Sequence, residues 1–132
     1  MEAGLVRWVG AATAAYGVGV LVRPELMARP CGLDREDGSV PAPAALLIRA
    51  MGVRDVAIGL AMLVAKDRSV RRAATACRVA ADLGDALIFG TQLPDPAARG
   101  KAAAVAGGWG ALCAVAGLAS DGPRGRDTDG QR

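Results

Sequence analysis

Four long apolar runs organise the chain, separated by short stretches that hold most of its charge. The first, Gly4 to Val22, carries a single charge at Arg7, near enough to one end for its stem to carry the guanidinium to the lipid headgroups. It stops at Arg23-Pro24, because proline cannot continue the hydrogen-bond ladder. A second run, Pro43 to Ala65, opens on Pro41 and Pro43, where missing donors are tolerated. The third covers Ala73 to Leu93 and closes at Pro94-Asp95-Pro96; the fourth, Ala102 to Ala119, is uncharged. At about 1.5 Å per residue each run crosses roughly 30 Å of hydrocarbon. The pattern predicts an all-α fold, a bundle of four transmembrane helices over 4–22, 43–65, 73–93 and 102–119, forming one domain over residues 1–119. Residues 120–132, rich in Gly, Asp and Arg, are expected to be a disordered tail.

Composition supports that class. Hydrophobic residues make up 52% of the 132, yet aromatics only 3%, so the apolar mass is Ala, Val, Leu and Gly, as in closely packed membrane helices. The net charge of +3 and the lack of a basic stripe interleaved with aromatics argue against a nucleic-acid partner. Cys31, Cys77 and Cys113 are widely spaced and there is no His, so neither a disulfide framework nor a metal site is indicated, and no cofactor is expected. Lys66, Arg68, Arg71 and Arg72 follow the second run, and Arg124, Arg126 and Arg132 follow the fourth. They outweigh Arg23, Arg29 and Arg35, and Arg99 and Lys101, in the other two connections. The positive-inside bias therefore places both termini in the cytoplasm, in a multi-pass protein of the inner cell membrane. Met-Glu-Ala-Gly lacks a basic leader region, which speaks against removal of the first helix as a signal peptide.

Charges inside the two middle runs are the exception to this economy. In "CRVAADLGDALIFG" the spacing puts Arg78, Asp82 and Asp85 on one helical face. On the second helix Arg49 and Asp55 flank the face marked by Gly52 and Gly59, whereas Arg54 points elsewhere. With the two helices antiparallel around the short basic loop, Asp55 lies level with Asp82, Arg54 falls in the same layer, and Arg49 lies within a turn of Asp85. Three arginines face three aspartates, so the set is neutral. One unpaired charge at mid-bilayer costs about 2.5–3.5 kcal/mol even on the mildest scale, so pairing is required. Such pairs either clamp the helices together or form a functional site. Small residues such as Ala103, Gly107 and Ala111 clamp helices more simply, which favours a site.

Two carboxylates at one level supply a general acid and a general base, here drawn from Asp55, Asp82 and Asp85. Arg49, Arg54 and Arg78 would bind the substrate and stabilise developing negative charge. That chemistry suits isomerisation, cyclisation or epoxide opening of a hydrophobic small molecule entering from membrane lipid. A proton-coupled carrier uses the same carboxylates, and a non-catalytic membrane subunit would use the Ala and Gly faces; a homo-oligomer is compatible with all three. Trp8, Tyr16 and Trp109 are candidate ligand platforms, with Trp8 and Trp109 read first as interface anchors or bundle filler. Gly84 and Gly90 are expected at close helix approaches. "GGWG", residues 107–110, lacks the Lys and preceding strand of a phosphate loop. "RPELMARPCGL" reads as a short interfacial helix over the site, with Glu25 and Arg29 as a surface pair, or as a solvated connector.

"RAMGVRDVAIGLAML" and "YGVGVLVRPELMARPCGL" resemble a family of small bacterial four-helix membrane proteins known as a domain of unknown function. Its Arg-x-x-Gly-x-Arg-Asp-x-x-x-Gly pattern falls on Arg49, Gly52, Arg54, Asp55 and Gly59, followed by Arg78, Asp82 and Asp85. The resemblance covers about residues 10 to 92 and implies the architecture, without an activity. A fainter likeness to four-helix quinone and redox membrane proteins lacks their paired cysteines.

Overall fold

The computed structural model describes residues 2–121, with side chains from Gly4 onward. Five helices follow one another: α1 (Glu2–Val22), α2 (Glu25–Ala28), α3 (Ala42–Val64), α4 (Arg68–Gln92) and α5 (Pro96–Ser120). No strand occurs among the described residues. The four apolar runs are therefore α1, α3, α4 and α5. Most of the predicted tail lies outside the described residues.

α4 and α5 begin more than one helical turn before their apolar runs, for a local reason. Asp67 accepts hydrogen bonds from the backbone N–H groups of Ser69 and Val70, capping α4. The basic stretch "KDRSVRR" is thus largely helix rather than loop. Asp95 does the same for Ala97, with Pro96 just inside the start of α5, so Pro94-Asp95-Pro96 both ends α4 and starts α5. Asp121, assigned from sequence to the tail, is held by Arg68 and Arg72 at 3.0 and 2.9 Å.

Packing departs from the expected pairing of α3 with α4. The main partner of α3 is α1, and that of α4 is α5; the two pairs meet more sparingly. Glycine explains the first pair. A Cβ on Gly17 would stand 2.7 Å from the Gly52 carbonyl oxygen, and one on Gly59 would stand 2.6 Å from both the Gly10 carbonyl oxygen and the Ala14 nitrogen. Gly10 and Gly17 thus face Gly59 and Gly52 in antiparallel register, backbone on backbone. The Gly52 and Gly59 face is turned to α1, not to the charges of α4. In the second pair Gly110 receives the Asp82 side chain and Gly117 receives Thr75. Gly90 meets Ala103, but Gly84 and Gly107 face open space, so neither serves as a close contact.

Two apolar clusters fill opposite ends of the bundle. One gathers Val20, Met27, Ile48, Leu93 and Ala98; the other gathers Val6, Val9, Met62, Cys113 and Ala116. The layer between them is polar: Thr13, Asp55, Arg78 and Asp82 are buried. Outward faces are the reverse, with Leu46, Leu47, Val64, Leu87, Val105 and Leu118 each at least 65% exposed. Two helices, α1 from Gly4 and α5, are long and apolar enough to cross a membrane, and so point weakly to a membrane protein. α3 and α4 are as long but carry the buried charges.

Candidate functional site

The polar layer is one connected chain of ions running Asp85, Arg54, Asp55, Arg78, Asp82. Arg54, from the middle of α3, forks onto Asp85 of α4 through Nη1 and Nη2, at 3.2 and 2.7 Å. Its Nε donates to Asp55 Oδ1 at 3.1 Å. On α4 Arg78 grips Asp82 one turn away, Nε donating to Oδ2 at 2.9 Å and Nη2 to Oδ1. Arg78 Nη1 lies 2.6 Å from Asp55 Oδ1, as an ion pair without the alignment of a hydrogen bond. Forked guanidinium–carboxylate contacts are the arrangement that makes buried charges tolerable.

Arg54 therefore points into the layer, contrary to the sequence reading. Arg49 is the residue that does not join. It is exposed, and its Nε donates to the Leu21 carbonyl oxygen at 3.3 Å, at the end of α1. The helical spacing explains both corrections: Arg54 is adjacent to Asp55 on the side that meets α4, while Arg49 lies near the start of α3, beside the end of α1. With Arg49 outside, three aspartates face two arginines, so that with every group ionised the set carries one negative charge in excess.

A cavity of about 310 Å³ opens beside this chain. Asp55, Arg78, Asp82 and Asp85 form its polar wall, and Tyr16, Phe89 and Trp109 line it with aromatic rings. A smaller space of about 220 Å³ continues it past Thr13 and Val105 between α1 and α5. Trp109 is fixed by its indole N–H, which donates to the Thr13 hydroxyl at 3.1 Å. Trp8, by contrast, is 74% exposed and lines neither space. The α2 turn covers one end of the cavity with Leu26, Met27 and Cys31, while no ion pair joins Glu25 to Arg29 among the described residues. Burial pushes the Cys31 thiol above its ordinary range, so it stays protonated and acts as an apolar wall. No group of His, Cys, Asp and Glu is placed to hold a metal ion among the described residues.

Sequence reasoning missed Thr13 and Phe89 as wall residues, whereas Met27 and Cys31 belong to the segment it read either as a helix over the site or as a connector. Three of the chain's four aromatics converge on one cavity, and that scarcity was the available clue.

An all-helical bundle with a buried aspartate–arginine chain, and with two helices apolar enough to cross a membrane, is the class defined by this geometry. The chain belongs to the family described as Domain of unknown function (DUF4267), whose model matches residues 10–120. That span includes every residue of the ion chain and its aromatic walls. No curated protein and no solved structure gives a match.

Proposed function

We propose that this protein is an acid–base enzyme of the bacterial inner membrane that isomerises, cyclises or opens the epoxide of a hydrophobic small molecule. In this reading α1, α3, α4 and α5 all span the bilayer, residues 1–119 form one membrane domain, and both termini face the cytoplasm. The inverted distribution of polarity supports it. Ionised groups are buried at mid-helix while leucines and valines of α3 and α4 face outward, an arrangement stable when the surroundings are lipid.

The observation that carries the chemical reading is the sharing of Arg78 by Asp55 and Asp82 on the wall of a cavity. One guanidinium between two carboxylates leaves that trio one proton short of neutrality. A neutral trio holds one carboxylic acid and one carboxylate, the pair needed to donate a proton at one atom and remove it at another. Arg54, forked onto Asp85, fixes Asp55 from the other side and keeps the charges from rearranging. The exposed Tyr16 and Val105 mark the opening between α1 and α5 as the entry for a molecule dissolved in the bilayer.

The test is turnover in reconstituted vesicles loaded with a bacterial lipid extract, followed by chromatography and mass spectrometry. The expected product has the mass of its precursor, or that mass plus one water for an opened epoxide. Uptake driven by a proton gradient without chemical change would show a carrier instead.

A further inference from the structure

The excess charge of the ion chain and the aromatic walls of the cavity bear on the same question, the sign of charge that a ligand carries there. With every group ionised, two guanidinium groups and three carboxylates sum to one negative charge, which the set bears once its acidic proton has been given up. Lys101, which also lines the cavity, does not correct the balance. It precedes Trp109 by eight residues on α5, about 12 Å along the helix, and forms no ion pair among the described residues. Its side chain is exposed. Tyr16, Phe89 and Trp109 add ring quadrupoles, which attract cations and offer anions nothing. The chain has only four aromatic residues, and three of them line this space.

We infer that the site is complementary to a cationic, lipophilic species: the substrate is a polyene, or its epoxide, that becomes a carbocation when the site protonates it. This rests on the acid–base reading above and adds the substrate class. The carboxylic acid of the Asp55–Arg78–Asp82 trio gives its proton to an alkene carbon or to the epoxide oxygen. For the alkene, the π pair becomes the new C–H bond and the neighbouring carbon is left cationic; for the epoxide, the C–O bond breaks toward oxygen with the same result. A second double bond of the same molecule then attacks the cation, forming the C–C bond. Finally a carboxylate removes a proton from the adjacent carbon, whose C–H pair becomes the new double bond. The proton is returned, so the net reaction is isomerisation. During the cationic stage the trio bears its full negative charge, and the pair of enzyme and ligand stays neutral.

A lipophilic tertiary amine, protonated at neutral pH, is the probe for that stage, and an ether of the same carbon skeleton is its neutral control. Binding of both to the full chain in phosphatidylcholine nanodiscs is measured by tryptophan fluorescence and by the shift in unfolding temperature. The amine is expected to bind at least tenfold more tightly than the ether. Asp82→Asn, which leaves one arginine for each remaining carboxylate, is expected to abolish the preference while keeping ether affinity. Tyr16→Leu, at a half-exposed position, is expected to weaken the amine alone, by roughly tenfold or less. Equal affinity for amine and ether overturns the cationic inference while leaving an acid–base site for neutral substrates intact. Failure of both probes to bind overturns the inference and also removes the cavity from the proposed function.

Discussion

Arg78 of α4 stands 2.6 Å from Asp55 of α3, and this contact ties one helix pair to the other across the middle of the bundle. Above and below it the two pairs meet through apolar side chains. The ion pair therefore sets the register between α1/α3 and α4/α5 at the depth of the cavity.

Removing that guanidinium leaves Asp82 buried without compensation and Asp55 with its bond to Arg54 alone. Arg78→Gln is expected to destabilise the protein by about 3–5 kcal/mol, measured by unfolding in mild detergent. Asp82→Asn removes the excess negative charge and retains an oxygen for Arg78, so its stability should stay within about 1 kcal/mol of the parent. Combining Arg78→Gln with Asp55→Asn should cost less than the sum of the separate changes, because the two groups touch.

The two arginines of α3 differ sharply in their expected effect. Arg49→Gln changes an exposed side chain with one long hydrogen bond, and should alter stability by no more than about 0.5 kcal/mol. Arg54→Gln breaks a fork onto Asp85 and a bond to Asp55, with an expected loss of about 1.5–3 kcal/mol. Equal losses in the same unfolding experiment would contradict the placement of Arg49.

Helix contact by bare backbone gives a steric prediction. Gly59→Ala puts a methyl group 2.6 Å from backbone atoms of Gly10 and Ala14, so α1 and α3 must separate, at about 1–3 kcal/mol. Gly107→Ala meets open space, and should be neutral or stabilising by up to about 1 kcal/mol through helix propensity. Thermal unfolding of the two variants side by side distinguishes them.

Much of the fold was legible because an apolar run of membrane length has few alternatives. The starts of α4 and α5 were hidden: Arg68, Ser69 and Arg71 look like loop residues until Asp67 is recognised as a cap, and Pro96 looks like a stop until Asp95 is. The ion pairs do join α3 to α4, as their consecutive order suggested, but the closer packing of α3 on α1 was not foreseen. The matching seven-residue spacing of Gly10 and Gly17 with Gly52 and Gly59 is the clue that pointed to α1 instead. At the site, Arg78, Asp82 and Asp85 were placed on one face by their spacing alone. Arg49 and Arg54 were ranked the wrong way round, since their surroundings depend on which helix covers each side of α3.

A four-crossing topology has its own test. Reporter fusions after residue 121 and before residue 1 should both report the cytoplasm, and a fusion in the α2 turn near Pro30 should report the opposite side. Termini on opposite sides would exclude four crossings.

The central claim, that the shared Arg78 makes Asp55 and Asp82 an acid–base pair rather than a clamp, is tested most directly by turnover and stability measured together in Asp82→Asn. Wild-type and variant protein are reconstituted in equal amounts, their unfolding temperatures compared, and the vesicles incubated with the same lipid extract. The variant is expected to fold like the parent and to have lost product formation by at least a hundredfold. A variant that unfolds readily and is restored by adding Arg78→Gln, with no lipophilic product formed by the parent protein, would show that the ion chain serves to hold the helices together.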